Sequence, residues 1–151
     1  MSRLRCRYHK SLNDQSLPVL DGIRQWFGSD LGRHVLQTEA AMLEQLLPSY
    51  FGYNLAQFSV QSRPLYRSSQ IQNRFAVSID QKVDGGLIAR PSDLPLDSDC
   101  LDVAIVHHLL DFAESPQEIL REIARTTMPM GHIVLVGFNP HSLWGAWKLI
   151  A

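Results

Sequence analysis

Two adjacent histidines, His107 and His108, close the apolar run "LDVAIVHHLL". Imidazoles titrate near neutrality, so at the carboxyl end of a strand such a pair can contact a ligand or move a proton. Equally, one ring can pack while the other makes a local hydrogen bond. Alternation along a strand sends neighbouring side chains to opposite faces, which argues against both rings gripping one ion. His132 and His141 add no ligand spacing, and no metal site is expected. Asp97, Asp99 and Asp102 form a second polar group, "LDSDCLD", but Asp and Ser favour turns through bonds to nearby backbone, so turn and cap roles are expected there. A third stretch, "YNLAQFSVQS", runs from an apolar strand into a turn that contains no glycine.

The elements that must position these groups follow from periodicity. Leu20, Ile23 and Phe27 recur at helical spacing in "PVLDGIRQWFG", with Gly28 as a stop. In "SDLGRHVLQTEAAMLEQLLPSYFG", Ser29 or Asp30 can cap a helix whose apolar stripe reads Leu31, Val35, Met42, Leu43 and Leu46, ending by Pro48. Three short β-like runs follow, "YNLAQFSV", "RFAVSID" and "GLIARP". "LDVAIVHHLL" is apolar on nearly every side, as a strand covered on both faces must be. Next, Ser115, Pro116 and Glu118 mark an N-terminus with a capping box, Ile119, Leu120 and Ile123 give the buried face, and Pro129 and Gly131 end the helix before the strand "HIVLVGF". Strand, helix, strand is a crossover unit, and parallel strands require such crossovers.

Length and composition bound the rest. A chain of 151 residues with 45% apolar and 19% charged side chains suits one globular domain, expected over residues 19–151 behind a flexible tail at residues 1–18. A net charge of -1 gives no general attraction to nucleic acid or anionic lipid; Arg3, Arg5, Arg7 and Lys10 read as a solvated basic tail. Cys6 and Cys100 form no C-x-x-C pair, so a reduced cytoplasmic protein is expected. No apolar run is long enough to span a bilayer. Trp144 and Trp147, three apart, suggest core or interface contact rather than substrate stacking.

The stretch from Ser92 to Pro140 resembles the second half of class I S-adenosylmethionine-dependent methyltransferases. Asp97, Ser98, Asp99, Asp102, Glu122, Arg125, Pro129 and Gly131 stand at matching positions, and the wider likeness to methyltransferase-like bacterial proteins spans roughly residues 20 to 148. The resemblance implies an α/β, Rossmann-like doubly wound and mostly parallel sheet of about five strands with helices on both faces. The central strand is then "YNLAQFSV", with "RFAVSID" and "GLIARP" to one side and "DVAIVHH" and "HIVLVGF" to the other. It further implies S-adenosylmethionine as cofactor, an unidentified methyl acceptor, and a cofactor site from Gln57, Phe58, Ser59, Gln61, Asp80, Gln81, Ser92, Asp93, Leu94 and His107, with His108 as catalytic base. Asp80 matches the acid that accepts both ribose hydroxyls, a role for which a carboxylate offers two acceptor oxygens.

Several positions depart from the family pattern. Gln57 stands where the family has an acid, and Ser59 and Gln61 replace the glycines of a Gly-x-Gly turn that brings backbone close to the methionine moiety. Ala89, Arg90 and Pro91 stand where the family often has Gly-Asp-Ala. Thirteen residues, Asn139 to Ala151, follow "HIVLVGF", so the family's last two strands are expected to be missing. The exposed edge would then be covered by a partner, or by a second copy in a homo-oligomer, unless the chain is a fragment. Two functions follow: a methyltransferase, or a binding module that kept the fold and lost catalysis.

Overall fold

The computed structural model describes residues 17–80 and 85–138. The basic tail, Gln81, His141 and the Trp144–Trp147 pair lie outside the described residues.

Helix α1 (Leu17–Phe27) buries Leu20, Ile23 and Phe27, the spacing expected of it, and begins two residues before the anticipated domain boundary. The Gly28 amide bonds back to the carbonyls of Arg24 and Gln25, each at 3.1 Å. The Ser29 hydroxyl accepts from the Gly32 amide at 3.1 Å and caps α2 (Asp30–Leu46). The turn between these helices is tight, because a Cβ on Gly32 would fall 2.1 Å from the Trp26 carbonyl oxygen.

The buried face of α2 differs from the expected one. Leu31, Met42 and Leu46 are exposed, whereas Gly32, Leu36 and Leu43 are buried and Glu39 lies half-buried between them. The true stripe, 32-36-39-43, keeps helical spacing but includes a glycine and a glutamate, which a count of apolar residues passes over. A single 3-10 turn, Leu47–Ser49, then leads toward the sheet.

Among the described residues, five strands form one sheet: β1 (Asn54–Ser59), β2 (Asn73–Ser78), β3 (Leu87–Ile88), β4 (Leu101–His107) and β5 (Thr127–Val136). Their order is β3-β2-β1-β4-β5 and every pairing is parallel, which is the arrangement expected from the sequence. On one face, Ala56, Phe58, Ala104 and Val106 pack under α1 and under Ile119 and Ile123 of α3 (Pro116–Thr126). On the other, Leu55, Val103 and Ile105 pack under Leu43 and Leu47 and under Leu65 and Ile71 of the connection between β1 and β2. That connection, residues 60–72, contains no helix.

Two details of the α3 region correct the sequence reading. Ser115 occupies the N-cap position, but its side chain makes no capping bond; its carbonyl accepts from the Glu118 amide at 3.1 Å instead. The helix also ends at Thr126, before Pro129, because β5 begins at once and takes in Pro129 and Gly131. Thr126 and Thr127 hydroxyls both bond to the Ile123 carbonyl, closing the last turn from inside.

Candidate functional site

The site is assembled at the carboxyl ends of β1, β2 and β4, where open α/β sheets bind ligands. Ser59 and His107 are register partners on adjacent strands. Both project to the face covered by α2, since they share the alternation of Leu55, Val103 and Ile105. Glu39, one turn ahead of Leu43, comes down on the same spot from the helix.

A buried polar network results. The Ser59 hydroxyl donates to His107 Nδ1 at 3.1 Å, and His107 Nε2 donates to Glu39 Oε2 at 2.8 Å. His108 Nε2 donates to the other oxygen, Glu39 Oε1, at 2.9 Å, while its Nδ1 donates to Asp111 Oδ2 at 2.8 Å. The two rings lie edge to face, centroids 4.5 Å apart, beside Phe27 and, for His108, Phe138. Alternation alone would have sent His108 to the far side of the sheet. It does not, because His108 has left the strand with a φ of 53°, a left-handed conformation that swings its ring back beside His107. The expected divergence of the two rings is therefore corrected.

The charges in this network are unequal. Burial pushes the His107 pKa down, and the bond to Glu39 restores only part of it. Burial also works against His108, but its bonds to Asp111 and Glu39 prevail and hold its pKa up at about 9. Glu39 resists its own partial burial through bonds from both rings, which bring its pKa down to about 2. His108 is thus an imidazolium at neutral pH with both nitrogens engaged. Such a ring has no lone pair to accept a proton, so the expected role as catalytic base does not fit this arrangement.

The other expected site residues divide into three groups. Gln57 is buried, its amide donating to the Arg63 carbonyl at 3.0 Å and accepting from the Leu65 amide at 2.7 Å, so it pins the start of the β1–β2 connection. Phe58 points away from the site into the core under α3, so contact with a cofactor is corrected to packing. Gln61 folds onto the backbone of Arg63, with bonds of 2.5 and 2.9 Å, and its amide donates to the Ser59 hydroxyl at 3.2 Å. Asp80 does end the β2 segment, but Arg24 of α1 grips it through two bonds of 2.9 and 2.6 Å, and Arg24 Nε donates to the Val60 carbonyl at 3.0 Å. The Arg24 hydrogen bond lowers the Asp80 pKa. Leu94 is buried, its amide donating to Glu122; Asp93 donates its amide to the Arg90 carbonyl.

Ser92 lines a cavity of about 410 Å³ with Val60, Ile79, Pro91, Leu109 and Ile119, among others. It opens across the ends of β1 to β4. Its walls mix apolar side chains with Ser92, Glu114, Ser115 and Glu118, and its size suits a planar base with its sugar. The methionine end of S-adenosylmethionine fits less well. No helix N-terminus follows β1, Gln57 supplies no charge, and the space beside Ser59 holds the imidazoles and Glu39. The cavity thus suits a base and sugar, whereas the space that a methionine moiety would need beside Ser59 is taken up by the chain's own side chains.

Three residues of the site escaped sequence reasoning: Arg24, Glu39 and Asp111. Only Glu39 carried a signal, its place in the 32-36-39-43 stripe.

Residues 39–135, well over half of the chain, match the methyltransferase domain family. The uncharacterized protein YafS of Escherichia coli (strain K12) is 37% identical over 62 residues; the match takes in 41% of this chain and about a quarter (26%) of that protein. Among solved structures, a methyltransferase from Thermotoga maritima shares 15% identity at a TM-score of 0.60, over 85% of this chain and 67% of that one. A complex containing the Trm112 methyltransferase activator of Haloferax volcanii includes a chain that matches at 21% identity and a TM-score of 0.53, over 75% of this chain and 59% of that one. These likenesses carry the fold. Together with the sheet order, the family match places the chain among known proteins: it belongs to the methyltransferase domain family.

Proposed function

We propose that the protein binds the adenosyl part of S-adenosylmethionine in the cavity across the strand ends and serves methyl transfer to an acceptor. The observation that supports this reading most directly is the cavity itself. Its walls come from the ends of β1, β2 and β4, the segment after β3, Leu20 of α1 and the stretch from Phe112 into the start of α3, and Asp80 stands next to the lining residue Ile79. A carboxylate there is suited to a ribose diol once Arg24 releases it.

The test is calorimetry with S-adenosylmethionine and S-adenosylhomocysteine, on the wild-type chain, on Arg24→Ala and on Arg24→Ala with Asp80→Ala. Binding by Arg24→Ala that weakens by roughly 10- to 150-fold once Asp80→Ala is added, the equivalent of about 1.5–3 kcal/mol for hydrogen bonds to a charged group, supports the reading. Absence of binding by wild type and by Arg24→Ala alike would sink it.

One observation favours the second reading, a binding module without catalysis. The groups expected to touch the methionine end are each engaged by the chain itself: Gln57 by Arg63 and Leu65, Ser59 by His107. Adenosyl binding with no methyl incorporated into any acceptor of a broad panel would favour that module.

A further inference from the structure

The Glu39, His107 and His108 side chains offer three ligand atoms that lie within 4.8 Å of one another. We propose that this trio is a divalent metal site of the two-histidine, one-carboxylate kind, suited to Zn²⁺, with His107 Nε2, His108 Nε2 and a Glu39 oxygen as ligands.

The geometry has the features that such a site needs. Both Nε2 atoms converge on one carboxylate, at 2.8 and 2.9 Å. A tetrahedral Zn²⁺ with bonds of about 2.0–2.1 Å sets its ligand atoms roughly 3.3 Å apart, so the two imidazole–carboxylate separations need open by only about half an ångström, and all three ligand atoms already lie within 4.8 Å of one another. Each ring is also fixed from behind. With metal on Nε2, His107 takes the other tautomer, its Nδ1–H donating to the Ser59 hydroxyl 3.1 Å away, and His108 Nδ1–H donates to Asp111 at 2.8 Å; metal-bound histidines are oriented by such outer partners through the nitrogen that does not touch the metal. Asp111 is itself steadied by the Phe138 amide at 3.0 Å.

Backbone conformation points the same way. A histidine with a φ of 53° is held in a sparsely populated region, and that departure is what turns its ring toward Glu39. Had the strand simply continued, one imidazole would face each side of the sheet and no shared ligand could form. Access is available as well, because the Glu39 side chain keeps 15% of its surface exposed while both rings are sealed. A metal entering past Glu39 would meet three protein ligands, with the fourth position directed outward for water or a ligand atom. Imidazole and carboxylate together suit Zn²⁺ or Fe²⁺ rather than the all-oxygen preference of Mg²⁺ or Ca²⁺.

The experiment is titration of the full chain with Zn²⁺ against a chromophoric chelator, followed by Co²⁺ substitution read by visible absorption. Expected are one ion per chain, the intense spectrum of four-coordinate Co²⁺, and affinity reduced by 100-fold or more in His107→Ala and Glu39→Gln. Asp111→Asn should cost roughly 10- to 100-fold, the effect of losing an outer partner. His132→Ala, which alters a ring stacked on Tyr50 instead, should bind as wild type does. Should a variant fail to fold, the wild-type Co²⁺ spectrum still decides. A pale octahedral spectrum, no stoichiometric binding, or equal affinity in folded Glu39→Gln would overturn the assignment. None of these measurements involves an adenosyl ligand, so their outcome is independent of the proposed function.

Discussion

Replacing Arg24 with alanine should make the protein less stable and, at the same time, a better binder of adenosyl ligands. Arg24 and Asp80 form two short bonds with side chains only 17% and 15% exposed. Removing one partner of a fully buried ion pair costs about 3–5 kcal/mol, whereas fully exposed pairs contribute less than about 1 kcal/mol. This pair lies between the limits, and the bond to the Val60 carbonyl is lost with it, so a loss of about 1–3 kcal/mol is expected. The freed carboxylate regains two acceptor oxygens for a diol. At about 1.5–3 kcal/mol, those bonds correspond to roughly 10- to 150-fold in affinity. Calorimetry with S-adenosylhomocysteine, run beside urea unfolding, reads both effects. Arg24→Lys, which keeps charge but cannot present the paired donors, should lie between wild type and alanine. Adding Asp80→Ala to Arg24→Ala should erase the gain. A folded Arg24→Ala protein that binds no more tightly than wild type refutes the view that Arg24 occupies the ribose acid.

Three further outcomes are expected. Gln57→Leu should cost about 1–3 kcal/mol in urea unfolding, because it leaves the buried Leu65 amide without its acceptor, while the Arg63 carbonyl keeps the Gln61 side-chain amide; a neutral result would mean that water satisfies the Leu65 amide. The glycines of the helical pair should respond in opposite senses. Gly32→Ala drives a Cβ into the Trp26 and Phe27 backbone and should destabilise by about 1–3 kcal/mol or more, while Gly22→Ala, with nothing within 4 Å, should stabilise by roughly 0.5–1 kcal/mol. Stability should also depend on pH through His108. Its folded pKa of about 9 lies above the ordinary 6.5, so its contribution is complete below about 6.5, fades as pH rises, and is gone above about 9; His108→Gln should flatten that slope in thermal melts. On the acid side, the Glu39 contribution is present above about 4.5 and lost as pH falls toward about 2.

The sheet was legible because its evidence is local. The β4–α3–β5 unit declares itself in an apolar run, a Ser-Pro start and a second apolar run, and the strand order follows from the resemblance with right-handed crossovers. Where a local rule competed with a tertiary one, the tertiary one won. Pro129 signalled the end of a helix, but pairing with β4 drew Thr127 onward into the sheet and ended α3 sooner. The site was legible only in part. Asp80 and the histidine pair could be singled out by type and strand position, but their partners could not. Arg24 is 56 residues from Asp80, and Glu39 is 68 from His107; no short-range pattern links such pairs. The positive φ of His108 was equally hidden, since histidine carries no glycine-like mark of a left-handed turn.

The matched motif residues explain why a likeness of sequence can carry a fold without carrying an activity. Glu122 accepts from the Leu94 amide at 3.0 Å, and Arg125 bonds to Glu122, to the Leu94 and Leu96 carbonyls and to Ser98, so this pair clamps the segment between β3 and β4 onto α3. Asp102 accepts from the Tyr53 and Asn54 amides at 2.8 and 2.9 Å and fixes the entry of β1 beside β4. Gly131 lets β5 approach, since a Cβ there would stand 3.0 Å from the Asp102 carbonyl oxygen and 2.8 Å from that of Met128. None of these residues lines the cavity; each holds backbone in register, and a chain that keeps them keeps the sheet whatever it binds. The ligand-facing positions answer to a different constraint, the chemistry at the strand ends. There Gln57 and Ser59 are spent on the chain's own backbone and imidazoles, and Asp80 on Arg24. Scaffold and site can therefore change independently: the residues that identify the family hold the sheet, while Arg24 and Glu39 engage the polar groups at the strand ends.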